Sequence, residues 1–244
     1  MSTLFISDLH LCVQRPDMTA ALVRFLEQDA SGADALYILG DLFEFWIGDD
    51  DPNPLHQQVA AALLALSQQH VPIYFIHGNR DFMLGQQFAK QAGMTLLGDP
   101  CVIELYGERV VLSHGDLLCT HDEGYQKFRR ITQLKWLRWL FLRLPLARRL
   151  AISHKIRGQS QQENAYKSRE IMDVTPAAVD QMLRDHDCRM MIHGHTHRPA
   201  IHDFTVAGQS ARRIVLGDWF SQGSVLICRP GAQTLEQRAL QVAR

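Results

Sequence analysis

Along this chain, short apolar runs repeatedly end in a small cluster of Asp, His, Asn and Gly. Residues 3–7 lead into Asp8-Leu9-His10, and residues 35–39 into Gly40-Asp41. Residues 72–76 precede Gly78-Asn79-Arg80-Asp81, residues 109–113 precede His114-Gly115-Asp116, and residues 189–192 precede His193-Gly194-His195-Thr196-His197. Runs of this length read as buried strands. The stretches 18–30, 55–69 and 82–92 between the early runs have the helical period. That alternation predicts an α/β fold, with helices on the faces of a sheet. Tyr106-Gly107-Glu108, linking runs 101–105 and 109–113, is a hairpin turn that makes part of the sheet antiparallel. The runs 212–216 and 223–228, with 189–192, read as closing strands of the same sheet.

Open α/β sheets place ligands beyond the C-terminal ends of their strands. In extended chain, residues two apart point the same way, so Asp8 with His10, and His195 with His197, can converge on one point. Asp8, His10, Asp41, Asn79, His114, His195 and His197 together supply two carboxylates, four imidazoles and one amide, without a thiolate. That donor set suits a hard or borderline divalent cation such as Mn, Fe or Zn. Seven protein ligands exceed what one open catalytic ion takes, and fit two ions sharing a carboxylate. A lone Asp at a strand end is usually a turn residue; five tags in order, each at a strand end, are a far more specific signal.

With 244 residues the chain is long enough for one large domain with a real core. A net charge of −1 singles out no polyanionic partner, and 46% apolar residues exclude a disordered chain. The five cysteines are scattered without a Cys-x-x-Cys pair, so a disulfide framework or thiolate zinc site is not indicated. The N-terminus lacks a basic region before an apolar stretch, and no window reaches the length of a membrane span, which predicts a cytosolic protein. Charge is nevertheless unevenly placed. Residues 127–157 hold ten of the 25 lysines and arginines and no acid. On a helical wheel Trp136, Leu137, Leu140, Phe141 and Leu144 take one side, and Lys135, Arg138 and Arg143 the other. Pro145 ends or bends that helix. A core-facing helix with a solvated basic face would look like this, and so would a helix lying on a membrane surface.

The ordered set Asp-x-His, Gly-Asp, Gly-Asn-x-Asp, His-Gly-Asp and Gly-His-Thr-His, from Asp8 to His197, resembles the calcineurin-like metallophosphoesterases. The resemblance implies a sandwich of two mixed β-sheets flanked by helices, with a binuclear site at one edge. Position by position it gives one metal to Asp8, His10, Asp41 and His197, and the other to Asp41, Asn79, His114 and His195, with Asp41 as the bridge. Many members carry His after the Gly-Asn, a group able to protonate a leaving oxygen; here it is Arg80. An alkoxide needs that proton, whereas a leaving phosphate needs its charge held, which a guanidinium does bidentately. The chemistry therefore points to a pyrophosphate bond.

The Gly-Asn-Arg-Asp variant, the basic insertion, the opening Thr-Leu-Phe-Ile-Ser-Asp-Leu-His-Leu and the run Leu39 to Asp50 are similar to one branch of that family, which hydrolyses UDP-2,3-diacylglucosamine in lipid A biosynthesis. The likeness implies two Mn²⁺ per chain, with Fe or Zn not excluded. It also implies metal-activated water attacking the phosphorus nearest uridine, and the products UMP and 2,3-diacylglucosamine 1-phosphate. It assigns Asn79, Arg80 and His195 to catalysis, and adds Asp122, Ser160, Asn164 and Lys167 as substrate contacts. Positions 160, 164 and 167 share one helix face, which alone says little. It implies a single domain, 1–244, whose helical cap at about 121–172 binds lipid, with Trp136, Trp139 and Phe141 lining the site or touching the membrane. The expected protein is a monomer, peripheral on the cytoplasmic side of the inner membrane, that binds no nucleic acid. A nuclease or soluble nucleotide pyrophosphatase would instead use 127–157 electrostatically, and a non-catalytic scaffold would tolerate lost ligands. Among the remaining polar residues, Asp49-Asp50-Asp51 reads as a solvated loop and His77 and His193 as supports for strand ends. Asp81 and Asp116 read as orienters of a ligand imidazole or of Arg80, and His121 is open.

Overall fold

The computed structural model describes residues 1–166, 171, 173–220 and 222–239, with side chains except at 159–166, 222, 238 and 239. Strands β1 (Thr3–Ile6), β2 (Ala35–Leu39) and β3 (Ile73–Ile76) pair in parallel, as connections through α1 (Pro16–Gln28) and α2 (Pro54–Gln68) require. Their unbroken apolar sequences follow from burial on both faces. Leu4, Ile6, Leu36, Ile38, Ile73 and Phe75 pack beneath α1 and α2, while Phe5, Leu39 and Ile76 point the opposite way. After α3 (Gln86–Gln91) comes β4 (Met94–Leu96), at the sheet edge.

The opposite face meets a second sheet. Strands β5 (Cys101–Leu105) and β6 (Glu108–Ser113) form the expected hairpin. Helices α4 (Glu123–Thr132), α5 (Lys135–Leu142), α6 (Leu146–Tyr166) and α7 (Pro176–Asp185) intervene before β7 (Met190–His193), β8 (Ala200–Val206) and β9 (Gln209–Val215). These strands order as β5-β6-β7-β9-β8. Phe5, Leu39 and Ile76 interdigitate with Leu105, Val110, Leu112, Met190, Ile192 and Ile214, so the central core lies between sheets. Val111 and Met191 face outward onto Val179 and Leu183 of α7. The first sheet closes with β10 (Gln222–Arg229) and β11 (Ala232–Ala239), in the order β11-β10-β1-β2-β3-β4. The protein is an α/β sandwich of two mixed sheets flanked by helices.

The structure corrects the linear reading in places. The closing strands do not share one sheet: β7 and β9 belong to the second, β10 to the first. Strands β4, β8 and β11 and helix α7 were not foreseen. The first is only three residues, and the exposed edge strands β8 and β11 carry little apolar patterning. The expected helix 82–92 is helical only over Gln86–Gln91, because Phe82–Gly85 forms a turn, with Phe82 and Met83 against the main cavity. Pro145 separates α5 from α6, its carbonyl accepting the N–H groups of Arg148 and Arg149.

Candidate metal centre

The ends of β1, β2, β3, β6 and β7 lie along one edge of the sandwich, and the tags that follow them meet there. Asp8, His10 and His197 form one cluster of converging ligand atoms and Asp8, Asp41 and His114 another. Asp41 Oδ2 stands 3.9 Å from His10 Nε2 and 3.7 Å from His114 Nε2, so it reaches both groups. Asn79 Oδ1 lies 2.9 Å from His114 Nε2 and 2.9 Å from His195 Nδ1. All seven residues singled out by spacing are thus brought together. Asp8, His10, Asp41, His195 and His197 all have positive φ, between 50° and 70°. Five non-glycine residues held in the left-handed region at one spot is backbone strain of the kind that gathers at functional sites.

Glycine is required where backbone and ligand nearly touch. A Cβ on Gly78 would sit 2.1 Å from Asp41 Oδ1, and one on Gly194 would sit 2.4 Å from Asp8 Oδ2.

The imidazoles are aimed from behind. His114 Nδ1 donates to the Leu39 carbonyl at 2.8 Å, His10 Nδ1 lies 3.4 Å from Glu44 Oε2, and His197 Nδ1 lies 3.1 Å from Asp218 Oδ2. Each partner turns the ring so that Nε2 faces the centre, the arrangement that metal-ligating histidines adopt. The charge balance agrees. Burial opposes a proton on His114, yet Asp41, Asp8 and Asp116 outweigh it and lift the imidazole to about 9. His197 is likewise lifted, against its burial, to about 10 by Asp218 and Asp8. The field at these two rings favours positive charge, so donor chemistry and field both fit divalent cations.

Glu44 and Asp218 escaped sequence reading. Asp218 follows Gly217 just beyond β9, so it repeats the Gly-Asp tag and was detectable in principle; Glu44 carries no such mark. Other expectations are corrected. Asp81 orients neither an imidazole nor Arg80, but accepts the N–H groups of Leu42 (2.7 Å) and Gly78 (2.9 Å), holding the Asp41 turn. Asp116 accepts from Tyr125 and Arg129 and so ties α4 to the edge. Asp49 is no free loop residue: its carboxylate caps α3 by accepting from Gly85 (2.8 Å) and Phe88 (3.0 Å), and Asp50 pairs with Arg149. His77 braces its strand end through the Leu84 carbonyl at 2.7 Å. His193 is buried behind the tag, its Nδ1 donating to the Gly194 carbonyl at 2.9 Å, and His121 is exposed.

A cavity of about 800 Å³ opens from this edge, between the tags and α4, α5 and α6. Phe82, Phe128, Leu137, Phe141, Ile152 and Ile156 line it, with Arg80, Arg138 and Arg157 among them. Arg80 Nε is buried there with no hydrogen-bond partner among the described residues. Asp122 lines the cavity and also caps α4, accepting from Tyr125 N at 3.0 Å. The faces of α5 differ from the wheel: Leu137, Phe141 and Arg138 turn inward, while Trp136 and Trp139 stand 63% and 55% exposed. The side chains of Ser160 and Asn164, and all of Lys167, lie outside the described residues.

Residues 1–199 match the model of the calcineurin-like phosphoesterases. The chain belongs to that family, and is a hydrolase. It is 86% identical over 98% of its length to a UDP-2,3-diacylglucosamine hydrolase of Aeromonas hydrophila, covering 100% of that protein. It is 79% identical to one of Aeromonas salmonicida, over 98% of this chain and 94% of that one. An Escherichia coli protein of the same name is 56% identical over 93% of this chain and 94% of its own.

Proposed function

We propose that this enzyme hydrolyses the pyrophosphate bond of UDP-2,3-diacylglucosamine, releasing UMP and 2,3-diacylglucosamine 1-phosphate for lipid A biosynthesis. The observation that carries the reading is the junction of two unlike surfaces, a seven-residue donor set and a largely apolar cavity. A substrate with a diphosphate at one end and acyl chains at the other fits both. The names of the relatives support the same substrate.

Asp8, His10, Asp41 and His197 would hold one divalent cation, and Asp41, Asn79, His114 and His195 a second, with Mn²⁺ the first choice and Fe or Zn compatible with the donors. Such ions, when bound, supply Lewis acidity and a water acidic enough to attack phosphorus near neutral pH. The chain's own groups do the rest. Arg80, its Nε lacking an acceptor, neutralises charge developing on the phosphoryl oxygens. His195, which burial and the neighbouring His114 push down to about 4, stays uncharged, with its Nδ1 2.9 Å from Asn79 Oδ1. Asn79 and Asp122, with Ser160, Asn164 and Lys167, contact the diphosphate and the sugar. Helices α4–α6 act as a lipid-binding cap on a single domain: Phe128, Leu137, Phe141 and Ile156 receive acyl chains and exclude water. The outward Trp136 and Trp139, among Lys135, Arg143 and Arg148, rest on the cytoplasmic face of the inner membrane, where a monomer takes its substrate. No described helix is long and apolar enough to span a bilayer.

The test is product analysis by mass spectrometry after turnover of UDP-2,3-diacylglucosamine in ¹⁸O-water, with Mn²⁺ or with chelator. Labelled UMP beside unlabelled lipid phosphate, formed only with metal, is the expected result. Label in the lipid phosphate would move the attack to the other phosphorus, and no cleavage with Mn²⁺ would overturn the substrate.

A further inference from the structure

The main cavity has an annex. A smaller cavity of about 240 Å³ shares Thr196 and Arg198 with it, and none of its lining residues belongs to α4, α5 or α6. Thr196 lies between His195 and His197, so the annex begins beside the candidate metal centre. A diphosphate diester held there has two arms. The apolar cavity suits the acyl arm and leaves the nucleoside arm without a place.

The annex sets charged groups against a small apolar wall of Pro199, Ala200 and Val215. Asp173, Arg198, His202 and Arg213 line it, with Thr196 at its mouth. Arg213 on β9 and His202 on β8 are cross-strand partners, which sets a guanidinium and an imidazole side by side. Arg213 is half-buried and makes no hydrogen bond among the described residues; Asp173 touches it only through its field. The Arg213 fork of donors is open to an acceptor that a ligand brings. Asp173 is held in place by an ion pair with Arg198 and by accepting Val174 N at 2.8 Å. His202 is pushed below its ordinary range by partial burial and by Arg213, so its ring is neutral near pH 7. A planar base bearing carbonyl oxygens, carried on a sugar with free hydroxyls, offers an acceptor to Arg213 and donors to Asp173. A base carbonyl would face the Arg213 fork, the hydroxyls the Asp173 carboxylate, and the ring the His202 imidazole.

We propose that this annex is the nucleoside subsite, taking the uridine half of the substrate, with Arg213 reading the base carbonyls. The proposal rests on the hydrolase reading above, and its test is kept separate from turnover. Uridine 5′-monophosphate and inorganic phosphate are titrated calorimetrically into the Mn²⁺-loaded protein, and into Arg213→Met and His202→Ala variants. The nucleotide should bind the parent protein at least about tenfold more tightly than phosphate, as one charge-assisted hydrogen bond allows. Either substitution should erase most of that margin and leave phosphate binding unchanged. His202 is exposed, so its variant decides the matter if Arg213→Met fails to fold. Equal affinities for nucleotide and phosphate, or a margin that survives in the folded variants, would overturn the subsite. A protein that cleaves the lipid nucleotide yet shows no margin loses only the subsite. One that shows the margin and leaves the lipid nucleotide intact keeps the subsite and loses the hydrolase reading.

Discussion

At the scale of single residues, the centre depends on groups that never touch its middle. Glu44 is 9% exposed; one carboxylate oxygen lies 3.4 Å from His10 Nδ1 and the other 2.9 Å from Arg157 of α6. It therefore aims a candidate ligand and connects it to the cap. Glu44→Gln keeps the shape but removes the charge, and should weaken Mn²⁺ binding by about 10- to 100-fold in a metal titration. Unchanged metal affinity would reduce Glu44 to a packing residue. Arg80 makes the opposite prediction. Its guanidinium faces the cavity and only its backbone N–H bonds Asp41, at 2.8 Å, so Arg80→Ala should lower kcat about 10²- to 10³-fold with metal content unchanged. Lost metal in that variant would assign Arg80 to the centre itself. The contrast shows how legible the site was. The residue types in the five tags announce their chemistry, whereas Glu44 acts through contacts reaching from Glu44 to His10 and Arg157, which no local pattern records.

At the scale of elements, α6 is clamped by one buried side chain. Arg149, 2% exposed, donates to the carbonyls of Ile47 (2.7 Å) and Leu144 (3.0 Å) and pairs with Asp50. Arg149→Met should speed amide exchange in α5 and α6 by about 10- to 100-fold, as the loss of charge-assisted hydrogen bonds implies, and leave β1–β3 protected. Uniform acceleration through the whole protein would mean that the clamp holds the fold rather than the cap. Helix α2 carries a pH signature. His56 is buried against Trp46, ring centroids 4.1 Å apart, and its Nδ1 has no hydrogen-bond partner among the described residues. Burial pushes its pKa below the ordinary value despite Asp51 nearby. Below about pH 6.5 the unfolded chain binds a proton that the folded one resists, so stability falls as pH falls. His56→Phe should flatten the decline in urea-unfolding free energy between pH 7 and 5; a parallel profile would refute that assignment. Element positions were readable where periodicity was strong. The inward face of α5 was not, because Arg138, on the basic side of the wheel, is drawn inward to donate to the Phe82 carbonyl, a contact no local pattern records.

At the scale of the whole molecule, the cap presents two apolar surfaces. One lines the cavity; the other exposes Trp136, Trp139 and Leu140 beside Arg143, whose guanidinium lies 3.9 Å over the Trp139 ring. Replacing both tryptophans by Ser should weaken co-sedimentation with anionic vesicles by at least about tenfold, since burying one large apolar side chain contributes about 1.5–3 kcal/mol. Binding that disappears in high salt but ignores the substitutions would make the attachment electrostatic alone.

By itself the sequence determined the chemistry and its order along the chain. Apolar runs of strand length ending in Asp, His and Asn dictate donors at strand ends, because side-chain period and backbone polarity are local properties. Only the tertiary structure decided which closing strands join which of the two sheets, that Asp218 and Glu44 stand behind His197 and His10, and that Arg138 turns inward while Trp136 turns out. Those outcomes rest on contacts between segments far apart in sequence, where burial against a particular neighbour outweighs any local preference.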